Sequence, residues 1–201
     1  MYRFLETIKL FDGNFFRLTL HQQRLNRAFT ECYPNTQVPD LISIIQNSDF
    51  PLNGFYKCRI LFDKEDYKIE FEPYVRKEIT SLQLVNTDIQ TFNYKPADRT
   101  VYQQAFELRK NCDDVLLVRD GLITDTSYAN IAFFDGVNWI TPEIPLIYGV
   151  NRALLIAEKK LMELPVKISD FPNFHSFRLF NAMIEFGEIE LSMTAINQFY
   201  V

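Results

Sequence analysis

Gly121-Leu122-Ile123-Thr124-Asp125-Thr126-Ser127-Tyr128-Ala129-Asn130-Ile131-Ala132-Phe133 is the stretch whose reading decides the fold. Apolar and β-branched residues at Leu122–Thr124 and Asn130–Phe134 predict two strands with a short polar connection between them. Asp120-Gly121 and Asp135-Gly136 frame the pair and mark tight reversals. Upstream, Asp114–Val118 predicts a strand that feeds the first reversal. Downstream, Asn138–Ile140 predicts another strand, followed by the loop Thr141-Pro142-Glu143-Ile144-Pro145. Gly149 then opens an amphipathic helix predicted to run to Met162. Phe177–Phe180 reads as a late strand.

Towards the N-terminus the pattern differs. Residues 2–10 predict a strand, and Asp12-Gly13-Asn14 a hairpin turn into residues 15–18. Thr19 is the expected cap of a helix from Leu20 to Cys32, and Pro39 opens a short helix through Ile45. Phe55–Phe62 and Tyr67–Tyr74 alternate as strands around a turn at Asp63–Asp66, and Ser81–Val85 is a third strand. Character changes near residues 86–94, and Asp98–Cys112 reads as helical. The fold class is therefore α+β: a small N-terminal α+β domain over residues 1–88 and a β-rich C-terminal domain over 89–201 with helices outside.

Bulk properties narrow the function. The chain has 201 residues, 47% of them hydrophobic, enough for a full core. Its net charge is −5 and no basic block runs along it, which argues against a nucleic-acid partner. No apolar stretch is long enough to span a bilayer, and Met1-Tyr2-Arg3-Phe4-Leu5-Glu6 lacks the apolar core of a secretion signal, so the expected location is the cytoplasm. The three cysteines, Cys32, Cys58 and Cys112, form no Cys-x-x-Cys pair, and with two histidines a metal site is not expected.

Candidate chemistry is scattered along the chain. Gly149-Val150-Asn151-Arg152 opens a helix, where free N–H groups and the helix dipole suit a phosphate. Most such helix starts bind nothing. Lys95, in Asn93-Tyr94-Lys95-Pro96-Ala97-Asp98-Arg99, follows the change of character; at a junction it would face a cleft, where lost hydration favours a nucleophilic amine. Most lysines are simply solvated. Asp125 is either a turn residue or a carboxylate facing a ring nitrogen, with Asn130 to orient it. His21 and Arg24 lie one helical turn apart, as an exposed polar pair or as an anion clamp with the histidine behind the arginine. Lys57 and Arg59 alternate onto one strand face, towards solvent or towards substrate carboxylates.

Each signal is weak alone; their order is not. The run His21-Gln22-Gln23-Arg24-Leu25, then Lys95, then Gly121 to Phe133, then Thr141-Pro142 and Gly149-Val150-Asn151-Arg152, resembles the class IV pyridoxal-5′-phosphate (PLP) enzymes. These include branched-chain and D-amino-acid aminotransferases and aminodeoxychorismate lyase. The resemblance implies a two-domain, fold-type IV architecture like that of D-amino-acid aminotransferase, with PLP as cofactor and a homodimer as the assembly. By the same resemblance, Lys95 is the lysine that carries the cofactor, and Asp125, buttressed by Asn130, faces the pyridine nitrogen. Arg24 and the helix-start residues Val150 and Asn151 hold the phosphate, and Asn181 closes the phosphate cup. Glu6, Lys57 and Arg59 are candidates for substrate contact.

Three departures stand out. The family usually carries Glu where this chain has Asp125, one methylene shorter, which asks for a closer backbone or a bridging water. The tyrosine expected a few residues after the lysine is missing, and Arg99 sits near that point. Family members also usually carry a further segment before the strand at Phe4-Leu5-Glu6-Thr7, so one wall of the usual pocket is expected to be absent or supplied differently. With Asn181-Ala182, this makes the preferred reading a lyase of the folate pathway that converts 4-amino-4-deoxychorismate to 4-aminobenzoate and pyruvate. An amino-acid aminotransferase using a 2-oxo acid is the alternative, followed by a non-catalytic PLP-binding protein.

Overall fold

The computed structural model describes residues 3–197, and they form two compact units, residues 3–76 with 92–98, and residues 77–91 with 99–197. In the first unit, strand β1 (Phe4–Phe11) turns at Asp12-Gly13 into the two-residue strand β2 (Asn14–Phe15). Helix α1 (Leu18–Cys32), helix α2 (Leu41–Gln46), and strands β3 (Phe55–Phe62) and β4 (Tyr67–Pro73) follow. The sheet order is β2-β1-β3-β4, and all its pairings are antiparallel.

Alternation along β1 and β3 sorts the side chains by face. Phe4, Ile8, Cys58, Ile60 and Phe62 join Leu25, Ala28 and Phe29 of α1 in one core cluster. Leu5, Thr7 and Lys9 fall on the opposite face, in register with Leu61, Arg59 and Lys57. The segment after residue 91 returns to this unit: Leu5 N–H donates to the Lys95 carbonyl, Ala97 N–H to the Arg3 carbonyl, and Phe4 bridges Pro96.

The second unit holds the remaining elements. Strand β5 (Leu82–Asn86), helix α3 (Thr100–Glu107), and strands β6 (Asp114–Arg119), β7 (Leu122–Thr126), β8 (Asn130–Phe134) and β9 (Trp139–Pro142) lead to helix α4 (Val150–Ala157). Strands β10 (Met162–Leu164), β11 (Ser176–Phe180), β12 (Glu190–Ser192) and β13 (Ile196–Asn197) complete it. They build two sheets, β13-β5-β6-β7 and β10-β9-β8-β11-β12. The α+β, fold-type IV expectation holds.

Several local expectations are corrected. α1 begins at Leu18, not Leu20, and its cap is Arg17 in the left-handed region (φ 59°) rather than Thr19, with no side-chain capping bond. Packing of Leu18 against the core draws the first turn forward. α2 begins after Asp40, whose carboxylate accepts from Ile42 and Ser43 N–H, so Pro39 lies outside it. α3 is shorter than Asp98–Cys112. The predicted helix to Met162 ends at Ala157, because Lys159 takes positive φ and Met162–Leu164 pairs with β9 instead. The predicted loop from Thr141 begins inside β9, and the expected strand over residues 15–18 is reduced to β2. Residue 2 of the first predicted strand lies outside the described residues.

Candidate active site

In the second unit, Asp125 sits near the end of β7 and Asn130 at the start of β8, and the turn between them brings the two together. Asn130 Nδ2 donates to Asp125 Oδ1 at 2.8 Å and to the Ile147 carbonyl at 3.0 Å. Leu146 and Ile147 N–H donate to Asp125 Oδ2 at 2.8 and 3.0 Å. A carboxylate offers about four lone-pair sites, so three donors leave one position for another. Burial pushes the Asp125 pKa up to about 6, against the lowering effect of Asn130, the two backbone donors and the charge of Arg152. An ionised carboxylate held by neutral donors in so dry a place gains most from a cationic N–H as its next partner.

The start of α4 adjoins this group in the chain. Gly149 is its cap, with extended backbone (φ −69°, ψ 145°), and no side chain caps the helix. The first N–H groups of a helix have no partner within it, which makes an uncapped start a seat for an anion. The side chain of Asn151 is engaged elsewhere, donating to the carbonyls of Asn181 and Ile184 at 3.0 and 3.1 Å. Only its backbone N–H therefore suits the anion, as it does for Val150. Asn181 is locked in turn: its Oδ1 accepts from Met183 and Ile184 N–H, and its Nδ2 donates to the Tyr128 carbonyl. Arg152 anchors the helix from below through the Pro142 carbonyl and Glu163, both at 2.8 Å.

Arg99 belongs to this unit as well. Its guanidinium lies 3.5 Å from the Tyr102 ring centre, and Nη2 donates to the Ser127 carbonyl at 2.9 Å. Burial lowers its pKa, with Tyr102 and Asp125 acting in the opposite sense. The sequence flagged Arg99 only as a substitute for a missing tyrosine. Its stacking on the side chain three residues along is the helical spacing that gives it away.

In the first unit, Lys95 Nζ donates to Thr7 Oγ1 at 3.0 Å. Nothing in the sequence links residues so far apart; the strand-like return of residues 95–97 beside β1 does. Arg24 and His21 converge on Glu6 from α1. Arg24 donates through Nε and Nη2 to the two Glu6 oxygens at 2.8 and 2.6 Å, and His21 Nδ1 shares a bond with Glu6 Oε2 at 2.5 Å. All three residues are buried. Burial by itself would raise the Glu6 pKa, but the charge of Arg24 and the bonds from His21 and Arg24 outweigh it and hold the carboxyl at about 2. Burial lowers the His21 pKa, which keeps the imidazole neutral and the donor to Glu6. Glu6 is thus enclosed on the helix side of the sheet, where it orients Arg24. Lys57 and Arg59 lie on the other face, paired with Glu72 at 2.7 Å and Glu70 at 3.1 Å.

Among the described residues there is no group of three His, Cys, Asp or Glu side chains that could hold a metal ion, and no helix is long and apolar enough to cross a membrane.

The family model for amino-transferase class IV matches residues 65–190. An uncharacterised protein of Haemophilus influenzae is 32% identical over 185 residues, 91% of this chain and 98% of that protein. The crystal structure of a proposed 4-amino-4-deoxychorismate lyase from Haemophilus somnus 129PT aligns with a TM-score of 0.86 at 30% identity, covering 92% of this chain and 98% of that one. An aminotransferase from Brucella abortus bound to PLP aligns with a TM-score of 0.75 at 16% identity, over 98% of this chain and 82% of that one, a likeness of fold.

Proposed function

Because the chain belongs to the class IV aminotransferase family, whose cofactor is PLP, we propose that it is a 4-amino-4-deoxychorismate lyase, with Lys95 carrying the cofactor. The observation that carries this reading is the buried Asp125–Asn130 pair beside an uncapped helix start. Those residues fit the two ends of the cofactor, a cationic ring N–H and a phosphate. When bound, PLP supplies an electron sink for the carbon that carries the substrate's amine.

Every other task falls to the chain's own residues. Asp125 would hold the proton on the ring nitrogen, and Asn130 with Leu146 and Ile147 N–H fixes the carboxylate in place. Asp125, one methylene shorter than the family's usual Glu, is reached by two backbone donors from the loop before α4. Backbone N–H groups of Val150 and Asn151 would hold the phosphate, with Asn181 beside them and Arg24, oriented by Glu6, as the cation for it. Once the substrate's own amine has displaced it from the cofactor, the amine of Lys95, positioned by Thr7, would remove the proton from the amine-bearing ring carbon. The C–O bond to the enolpyruvyl group then breaks, the ring becomes aromatic, and the departing enol takes up a proton to leave as pyruvate. The two products together contain all the atoms of the substrate.

The relative from Haemophilus somnus, described as a proposed lyase and covered over 98% of its length, supports elimination over transamination. The test is direct. Purified protein loaded with PLP is expected to release pyruvate and 4-aminobenzoate from aminodeoxychorismate with no 2-oxo acid present. A strict requirement for an acceptor such as 2-oxoglutarate would make it an aminotransferase instead. We also propose a homodimer, which sedimentation equilibrium tests.

A further inference from the structure

The face of the first unit's sheet turned away from α1 carries, beside Thr7, an arginine that cofactor binding does not use. In the β1–β3 register Thr7 stands directly opposite Arg59, and in the β3–β4 register Arg59 stands opposite Glu70. Directly opposed residues have Cα atoms about 4.5–5.5 Å apart and side chains on one face. Thr7 is also the residue that holds the Lys95 amine, at 3.0 Å. Lys95, Thr7, Arg59 and Glu70 therefore form one row across the sheet.

The row lies in a positive field. Lys9, Lys57 and Lys68 share the face with Arg59 and Lys95, against two carboxylates from β4, Glu70 and Glu72. Glu70 is held twice, by Lys68 Nζ at 2.6 Å and by Arg59 Nη1 at 3.1 Å. The longer bond, to a side chain still 32% exposed, is the one more easily exchanged. If Arg59 turns to a new anion, Lys68 still neutralises Glu70. A planar guanidinium with two parallel N–H groups is built for a carboxylate.

We propose that Arg59 is the specificity-determining residue that receives a carboxylate of the substrate, exchanging its contact with Glu70 for it, so that amine-bearing carboxylates are selected at the site of Lys95. The proposal rests on the functional reading above and sharpens it by naming the residue that reads the substrate's acid group.

The experiment measures binding of 4-aminobenzoate and benzoate by isothermal titration calorimetry to PLP-loaded wild type, Arg59→Gln, Arg59→Lys and Glu70→Gln. Borohydride reduction and mass spectrometry first establish that each protein carries cofactor on Lys95, and thermal melting that each is folded. Arg59→Gln is expected to weaken both ligands at least tenfold, Arg59→Lys to recover part of the loss, and Glu70→Gln to tighten binding severalfold. Opposite signs for the two halves of one ion pair distinguish a competing counter-ion from a structural pair, whose two variants would change alike. Binding in Arg59→Gln equal to wild type, with cofactor on Lys95, overturns this inference and leaves the enzyme assignment standing. Failure of Lys95 to take up cofactor overturns the enzyme assignment itself.

Discussion

Asn130 and Gly149 interlock: a Cβ built on residue 149 would lie 2.0 Å from Asn130 Oδ1. The backbone at Gly149 is ordinary (φ −69°), so the glycine is required by space and not by conformation. Asn130 cannot swing aside without breaking its bonds to Asp125 and Ile147. The same close approach fixes the carboxylate and leaves the helix start bare.

Gly149→Ala is therefore expected to destabilise the protein by about 1–3 kcal/mol, as for overpacking in a tight interior. In an Asn130→Ala background the added methyl meets no amide, and the second substitution should cost much less. A double-mutant cycle on urea midpoints checks this. Additive costs would mean that the two residues do not meet.

Asp125 gives the cofactor-free protein a pH signature. Its folded pKa is raised from 3.8 to about 6. Stability from this group is fully present below about pH 4 and is lost as pH rises through 6, on the order of 3 kcal/mol in all. Asp125→Asn should flatten that slope, and loading with PLP should reduce it, because a cationic partner lowers the folded pKa. Denaturant titrations at pH 4, 5, 6 and 7 measure it; an unchanged slope in the variant assigns the effect to another group.

Glu6 acts with the opposite sign. Its folded pKa is depressed from 4.5 to about 2. The stability it contributes is present above about pH 4.5 and disappears as pH falls towards 2, again on the order of 3 kcal/mol. Glu6→Gln leaves Arg24 buried without its counter-charge, at a cost of about 3–5 kcal/mol near neutral pH. The variant should unfold at lower urea at pH 7, with the gap to wild type closing on acidification. A gap that stays constant with pH would show that Glu6 is not ionised in the folded protein.

The roles proposed for Lys95 and Thr7 separate capture from turnover. Lys95→Ala should show no borohydride-trapped cofactor in the peptide containing residue 95. Thr7→Val keeps the shape but removes the hydroxyl that holds the amine, so trapping should persist while kcat falls about tenfold, the equivalent of one hydrogen bond of roughly 1.4 kcal/mol. Loss of trapping in Thr7→Val would place the hydroxyl's role in cofactor capture.

The elements around Asp125 were legible because their signals are local. β7 and β8 follow from their apolar residues and from the Asp-Gly reversals that frame the pair, and α4 from a glycine before a periodic apolar run. The misreadings have one cause, competition from distant partners. Thr19 reads as a cap on sequence, yet packing of Leu18 starts the helix earlier; Met162–Leu164 reads as helix, yet β9 offers it an edge.

By itself, the sequence determined the α+β class and the family, since strand alternation, turns and motif order are written within a few residues of each other. Only the tertiary structure decided what those side chains touch. The enclosure of Glu6 by Arg24 and His21, the hold of Thr7 on Lys95, and the place of Arg59 in the same row are contacts between strands and a helix far apart in the chain. Such contacts are set by sheet register, and a shift of one residue would turn Glu6, Thr7 or Arg59 to the other face.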